Sequence, residues 1–166
     1  RKWLLQGAVF IGDGLQETVL TIEAGTTIYG DSANVGMLIL NRSSKIMAEG
    51  TRSSPIVFTS SKRPGQRARG DWGGVLMNGW ASINTCLDNV DQRTFVKPCE
   101  AFGEGGTGWY GGDVDEDDSG ILRFVRIEFA GHLLTPDMES NGLSLHGVGS
   151  STTLEHIQVH MAKDDG

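Results

Sequence analysis

The chain has 166 residues, 38% of them hydrophobic, and a formal net charge of −7. That length holds one domain with a buried core. The acidic balance speaks against a nucleic-acid partner, which calls for a basic face, and no apolar run approaches the ~20 residues of a membrane-spanning helix. Gly is abundant at 24 residues and Pro scarce at 4, which suits a chain that turns often and excludes collagen-like and linker compositions.

Residues 1–18 hold two apolar segments, Trp3-Leu4-Leu5 and Ala8-Val9-Phe10-Ile11, followed by a turn at Gly12-Asp13-Gly14. They read as the first strands. Between Leu20 and Met77 come four more: Leu20-Thr21-Ile22, Leu38-Ile39-Leu40, Ile56-Val57-Phe58 and Gly74-Val75-Leu76. Ile22, Leu40, Phe58 and Leu76 recur at a step of 18, and Ile28 and Ile46 are also 18 apart. A fixed period of strand and turn signals stacked coils, each too small to bury its own apolar face. The leucine-rich-repeat pattern is absent, no stretch shows a sustained helical period with caps, and Val, Ile, Leu and Thr between Gly, Asn and Ser clusters suit short strands and tight bends. The expectation is an all-β chain forming one parallel β-helix (a β-solenoid) over residues 1–166. Ile22, Leu40, Phe58 and Leu76 are expected to stack inward as one ladder. The basic stretch Arg63 to Gly70 reads as a solvated loop.

Residues 78–119 break the period and read as one long inserted, irregular loop. Insertions of this length are often functional. Cys86 and Cys99 bracket part of it, 13 positions apart. In an oxidising compartment they would pair, closing a loop worth ~3 kcal/mol in the chain-entropy model; in a reducing one they would stay thiols. Trp109-Tyr110 follows a glycine-rich turn and reads either as a sugar-stacking pair or as a cover for the side of the coil. Next comes an acidic run with Asp113, Asp115, Asp117 and Asp118. Closely spaced carboxylates can supply the hard oxygens that calcium takes, but the EF-hand pattern fails, since its glycine position holds Asp118 and its closing glutamate position Phe124. A solvated acidic turn is the simpler reading.

The pattern resumes with Ile121 to Ala130, which aligns with Thr153 to Ala162 at an offset of 32. Strand alternation places Val125, Ile127 and Phe129 on one face, stacked on Ile157, Val159 and Met161. Phe124, Arg126 and Glu128 then stack on His156, Gln158 and His160, with Arg123 on the face opposite Arg126. His156, His160 and Glu128 have ligand types that suit a transition metal, and more simply form an outward polar ladder. Arg123 and Arg126 are of a type that could hold a uronic acid carboxylate. No nucleophile elbow, P-loop or dinucleotide fingerprint is present.

The phrases Leu20-Thr21-Ile22-Glu23-Ala24-Gly25-Thr26, Ile46-Met47-Ala48-Glu49-Gly50-Thr51, Pro55-Ile56-Val57-Phe58-Thr59-Ser60, Gly70-Asp71-Trp72-Gly73-Gly74 and Val125-Arg126-Ile127-Glu128-Phe129-Ala130-Gly131 resemble secreted and cell-surface bacterial right-handed parallel β-helix proteins. The resemblance covers nearly the whole chain apart from residues 81–102. It implies the right-handed coil, a structural Trp72 at the start of a coil, a secreted or outer-membrane-associated location and continuation beyond residue 166. It implies no particular activity, because the same coil carries lyases, adhesins and passive stalks.

The first residues lack a signal-peptide apolar stretch and the last, Lys163-Asp164-Asp165-Gly166, follow directly on a strand, so both ends read as cuts within a longer protein. The functional expectation is a non-catalytic extracellular structural or adhesive module of a bacterial surface or secreted protein. Glycans or other surface proteins are the partners. Carbohydrate-binding candidates are Trp109, Tyr110, Arg126 and His156; Asp113, Asp115, Asp117 and Asp118 are the calcium candidates; Cys86 and Cys99 form the disulfide. The alternatives are a polysaccharide-active lyase or hydrolase, and a subunit of a surface filament or layer joined end to end through exposed strand edges.

Overall fold

A computed structural model describes residues 1–84, 99–135 and 138–165, with only the backbone for residues 133–135 and 138–139. Each coil uses three short strands. The first coil is β1 (Lys2–Leu5), β2 (Ala8–Ile11) and β3 (Thr18–Ile22); the second is β4 (Thr27–Gly30), β5 (Met37–Leu40) and β6 (Ser44–Glu49); the third opens with β7 (Ile56–Ser60) and β8 (Gly74–Asn78). After β8 the hairpin strands β9 (Cys99–Phe102) and β10 (Trp109–Gly112) intervene. The coil then continues through β11 (Gly120–Glu128), a small hairpin of β12 (Leu133–Thr135) and β13 (Met138–Glu139), β14 (Leu143–His146) and β15 (Thr153–His160). Parallel pairing stacks these strands into three sheets. The first holds β1, β4, β7 and the second half of β11; the second holds β2, β5, β8 and β14; the third holds β3, β6 and the first half of β11, and β15 runs beside β11 along both of its halves. This is the expected parallel β-helix, and strand–crossover–strand connections of this kind turn right-handed.

The 18-residue column is not a ladder. Ile22 lies on β3, Leu40 on β5, Phe58 on β7 and Leu76 on β8, so the four are spread over all three sheets. A full coil is longer than 18 residues: Lys2 pairs with Thr27, a step of 25, and Met37 with Gly74, a step of 37. A step of 18 therefore moves from one sheet to another. Ile28 and Ile46 are separated in the same way, on β4 and β6. The real ladders follow the pairing register. Trp3, Ile28, Phe58, Ile127 and Val159 stack in the first sheet. Val9, Leu38, Val75 and Leu143 stack in the second, beside Ile11, Leu40, Met77 and Leu145. Ile22, Ala48, Leu122 and Leu154 stack in the third. Inward members of all three meet in one buried core with Trp72. Trp72 is fully buried, its ring 6.5 Å from that of Phe58, and its Nε1 donates to the Glu128 carbonyl at 2.7 Å. Gly30 leaves the space its indole fills, since a Cβ there would run into the ring.

Leu76 points outward, contrary to its expected place in the core. It forms a second buried cluster with Met37 and Ile39 on the outer side of the second sheet. Alternation still holds there, with Leu38, Val75 and Met77 inward; both sides of β5 and β8 are apolar because both are covered.

The 32-residue offset does describe neighbouring strands, with Val125 on Ile157 and Ile127 on Val159. Phe129 and Met161 leave that face. Both follow the strand with positive φ, 61° and 56°, Phe129 half-buried and Met161 exposed. Inside β11, Phe124 has φ 48°, and His156 at the matching position of β15 has φ 54°. This bend carries each strand from the third sheet into the first and shifts the alternation by one. Leu122 and Val125 therefore both point inward, and Arg123 and Arg126 both point outward rather than to opposite faces. Gly50 lies against this bend, where a Cβ would strike the Phe124 carbonyl oxygen, and Gly120, at φ 103°, enters β11 against the Ile46 backbone.

Candidate functional site

The inserted segment is less irregular than its sequence suggests. Among its described residues, β9 and β10 form an antiparallel hairpin in which Trp109 pairs with Phe102 and Tyr110 with Ala101. A 3-10 turn at Glu104–Gly106 joins them, and Gly103 N donates to the Gly108 carbonyl at 2.8 Å. The hairpin is fastened to the side of the coil. Asn78 Nδ2 donates to the Thr107 carbonyl at 2.7 Å, Gly111 N to that of Gly79 at 2.9 Å and Val114 N to that of Trp80 at 3.0 Å. Arg42 lies 3.8 Å from the centre of the Trp80 ring, pairs with Glu100 and donates to the Gly111 carbonyl at 3.1 Å.

Adjacent residues of a strand face opposite ways, so Trp109 and Tyr110 do different things. Trp109 packs edge-on against Phe102, centroids 5.3 Å apart, and both are more than half exposed, at 53% and 55%. Tyr110 turns toward the coil, where its ring lies 4.7 Å from that of His146 at the end of β14. Beneath them is a cleft of about 250 Å³. Met37 and Leu76 of the second sheet form its floor; Glu104, Thr107 and Tyr110 come from the hairpin side; Ser140, Asn141, Ser144 and His146 form the facing wall. Two buried side-chain atoms on that wall, Asn141 Oδ1 and His146 Nδ1, have no hydrogen-bond partner among the described residues. Burial pushes the imidazole of His146 below its ordinary range, against the opposing pull of the Glu104 carboxylate.

The other candidates lie elsewhere. Arg123 sits in a ladder of charge on the third sheet, bonded at 2.8 Å to Glu49 and at 2.8 Å to Glu155. Arg126 pairs with Glu128, whose carboxylate also accepts from Thr59 at 3.0 Å. His156 stacks on Phe124 at 4.4 Å, and His160 meets the edge of Phe129 at 6.0 Å. Tyr110 thus belongs with His146 rather than with Arg126 and His156.

The acidic run is distributed among separate partners. Asp115 accepts from Ser82 N at 3.0 Å, Asp117 from Ser119 Oγ at 3.0 Å, and Asp118 from Lys45 at 2.9 Å and Gly120 N at 2.9 Å, which holds its carboxyl below the usual range. Asp113 is exposed. Among the described residues no three His, Cys, Asp or Glu side chains converge as a metal site would require. Cys99 is buried at the start of β9, and its expected partner Cys86 lies outside the described residues.

A family model for a pectate-lyase-like β-helix domain matches residues 1–166. The chain belongs to this family. No curated protein and no solved structure matches it. Membership in the pectate-lyase-like β-helix family agrees with the coil and its three stacked sheets. The cleft beneath the hairpin is lined partly by the segment that interrupts the coil.

His146, Asn141, Ser144, Thr107 and Glu104 had not been singled out in the sequence. His146 aligns with Asn78 in the pairing register, and Asn41 follows the Leu40 that pairs with Met77, so the three stack at one corner of successive coils. That register could have pointed to His146, but the insertion between β8 and β11 hides it.

Proposed function

We propose that this domain is a non-catalytic extracellular adhesive module of a bacterial surface or secreted protein, in which the β-helix is the scaffold and the inserted hairpin makes the glycan contact. The observation that carries this reading is the hairpin itself. It breaks out of the coil, is tied back by Asn78, Arg42 and Gly79, exposes an aromatic pair on one side and closes a polar, aromatic-walled cleft on the other. Loops held on a rigid scaffold are where binding residues concentrate.

Domains of this family are typically extracellular, which supports the location. The rival reading, a polysaccharide lyase or hydrolase, needs an acid or base and a charge stabiliser converging on one reacting atom. His146 and Glu104 share the cleft, whereas Arg123 lies on the third sheet and Arg126 on the first, both bonded to carboxylates. The test is to present the purified domain to neutral and acidic polysaccharides. Retention without new reducing or unsaturated ends supports adhesion, and release of such ends contradicts it.

A further inference from the structure

We propose that the cleft between the β9–β10 hairpin and the second sheet is a subsite for one uncharged, hydroxyl-rich ring, a neutral pyranose, with Tyr110 as its stacking wall and Asn141 and His146 as its hydrogen-bonding edge. The inference deepens the adhesive reading and rests on it.

Three observations on different elements lead to it. The floor is apolar, made of Met37 and Leu76. One wall is the Tyr110 ring, held by its packing on His146. Beside that ring, the edge toward β14 carries the Asn141 Oδ1 and His146 Nδ1 atoms, buried without partners among the described residues. A buried polar atom left unsatisfied costs ~1–3 kcal/mol, so these two atoms are disposed to take hydrogen bonds from whatever fills the space. An apolar floor, an aromatic wall and a polar edge match a pyranose, which has a C–H face and a rim of hydroxyls. The 250 Å³ volume is below the roughly 300–1,000 Å³ of sites for drug-sized ligands, so one ring is the fitting occupant. Charge selects among sugars. The Glu104 carboxylate lines the cleft and the free carbonyl oxygen of Asn141 is an acceptor; both favour hydroxyl donors and repel a uronate.

The experiment titrates the protein with neutral trisaccharides (cellotriose, mannotriose and laminaritriose) and with trigalacturonate. It follows heat by calorimetry and the His146 ring signals by NMR. The unmutated protein is expected to bind a neutral trisaccharide with movement of the His146 signals, a readout that needs no variant. Tyr110→Ala and Asn141→Ala should each weaken binding tenfold or more at an unchanged melting temperature, whereas Tyr110→Phe and Trp109→Ala should stay within twofold. Binding that leaves His146 unmoved, or that is lost only in Trp109→Ala, overturns the subsite and keeps the adhesive reading, placing the contact on the exposed Phe102–Trp109 pair. Tighter binding of trigalacturonate overturns the neutral assignment. Failure of every glycan, the broader polysaccharide panel included, brings down the adhesive reading and the subsite together.

Discussion

His146 is the residue whose environment departs furthest from what its sequence neighbourhood suggested. Its ring is packed on Tyr110, one nitrogen is buried without a partner, and burial lowers its pKa from the ordinary 6.5. Above about pH 6.5 the ring is neutral whether the chain is folded or not, and it adds nothing to the pH dependence. As pH falls below that value the unfolded chain takes up a proton that the folded one resists, so stability declines until the folded ring also titrates. Thermal melts between pH 7.5 and pH 4.5 should therefore show a fall in melting temperature beginning near pH 6.5, and His146→Gln should flatten the upper part of that fall. An identical profile in the variant would contradict the buried, neutral imidazole. None of this was legible in the sequence. Ser-Leu-His-Gly at residues 144–147 looks like any strand end, and the facing Tyr110 and Glu104 come from an insertion of unrelated pattern.

At the scale of the strand, the pairing register decides which residues carry the core. Phe58 stacks between Ile28 and Ile127 against Trp72 and is fully buried, so Phe58→Ala should cost ~3–5 kcal/mol. Ile22 occupies the end coil and is half-buried, so Ile22→Ala should cost clearly less. Chemical denaturation of the two variants measures this, and equal losses would favour an 18-residue ladder over the observed register. Strands and turns were legible because apolar triplets alternate with Gly, Asn and Ser. The coil length was not, because turns of unequal length give coils of unequal length, and a chance spacing of 18 looked more regular than the true one. The 32-residue offset was read correctly since Ile121–Ala130 and Thr153–Ala162 have the same bend at the same place. In the inserted segment, the proposed disulfide would tether buried Cys99 of β9 to Cys86. Alkylation without reductant of protein from its native source should modify neither cysteine; two alkylated thiols would refute the bond and weaken the extracellular reading.

Across the whole molecule, the coil spreads its polar groups over three long faces, and charges on those faces pair with one another in places, as in the run of Glu49, Arg123 and Glu155. Exposed pairs of this kind contribute little stability and make a surface rather than a pocket. Fold class was legible from the recurrence of short strands; function was not, since a repeating scaffold is shared by many activities and the polar cleft is assembled from the hairpin and β14, far apart in sequence. The central claim is that this site binds sugar and leaves it intact. The most direct measurement is mass spectrometry of a neutral oligosaccharide recovered from a binding titration with the purified domain. Saturable binding and an oligosaccharide of unchanged mass after prolonged incubation are expected; fragments of lower mass, or a product with an unsaturated end, would contradict a binding-only role.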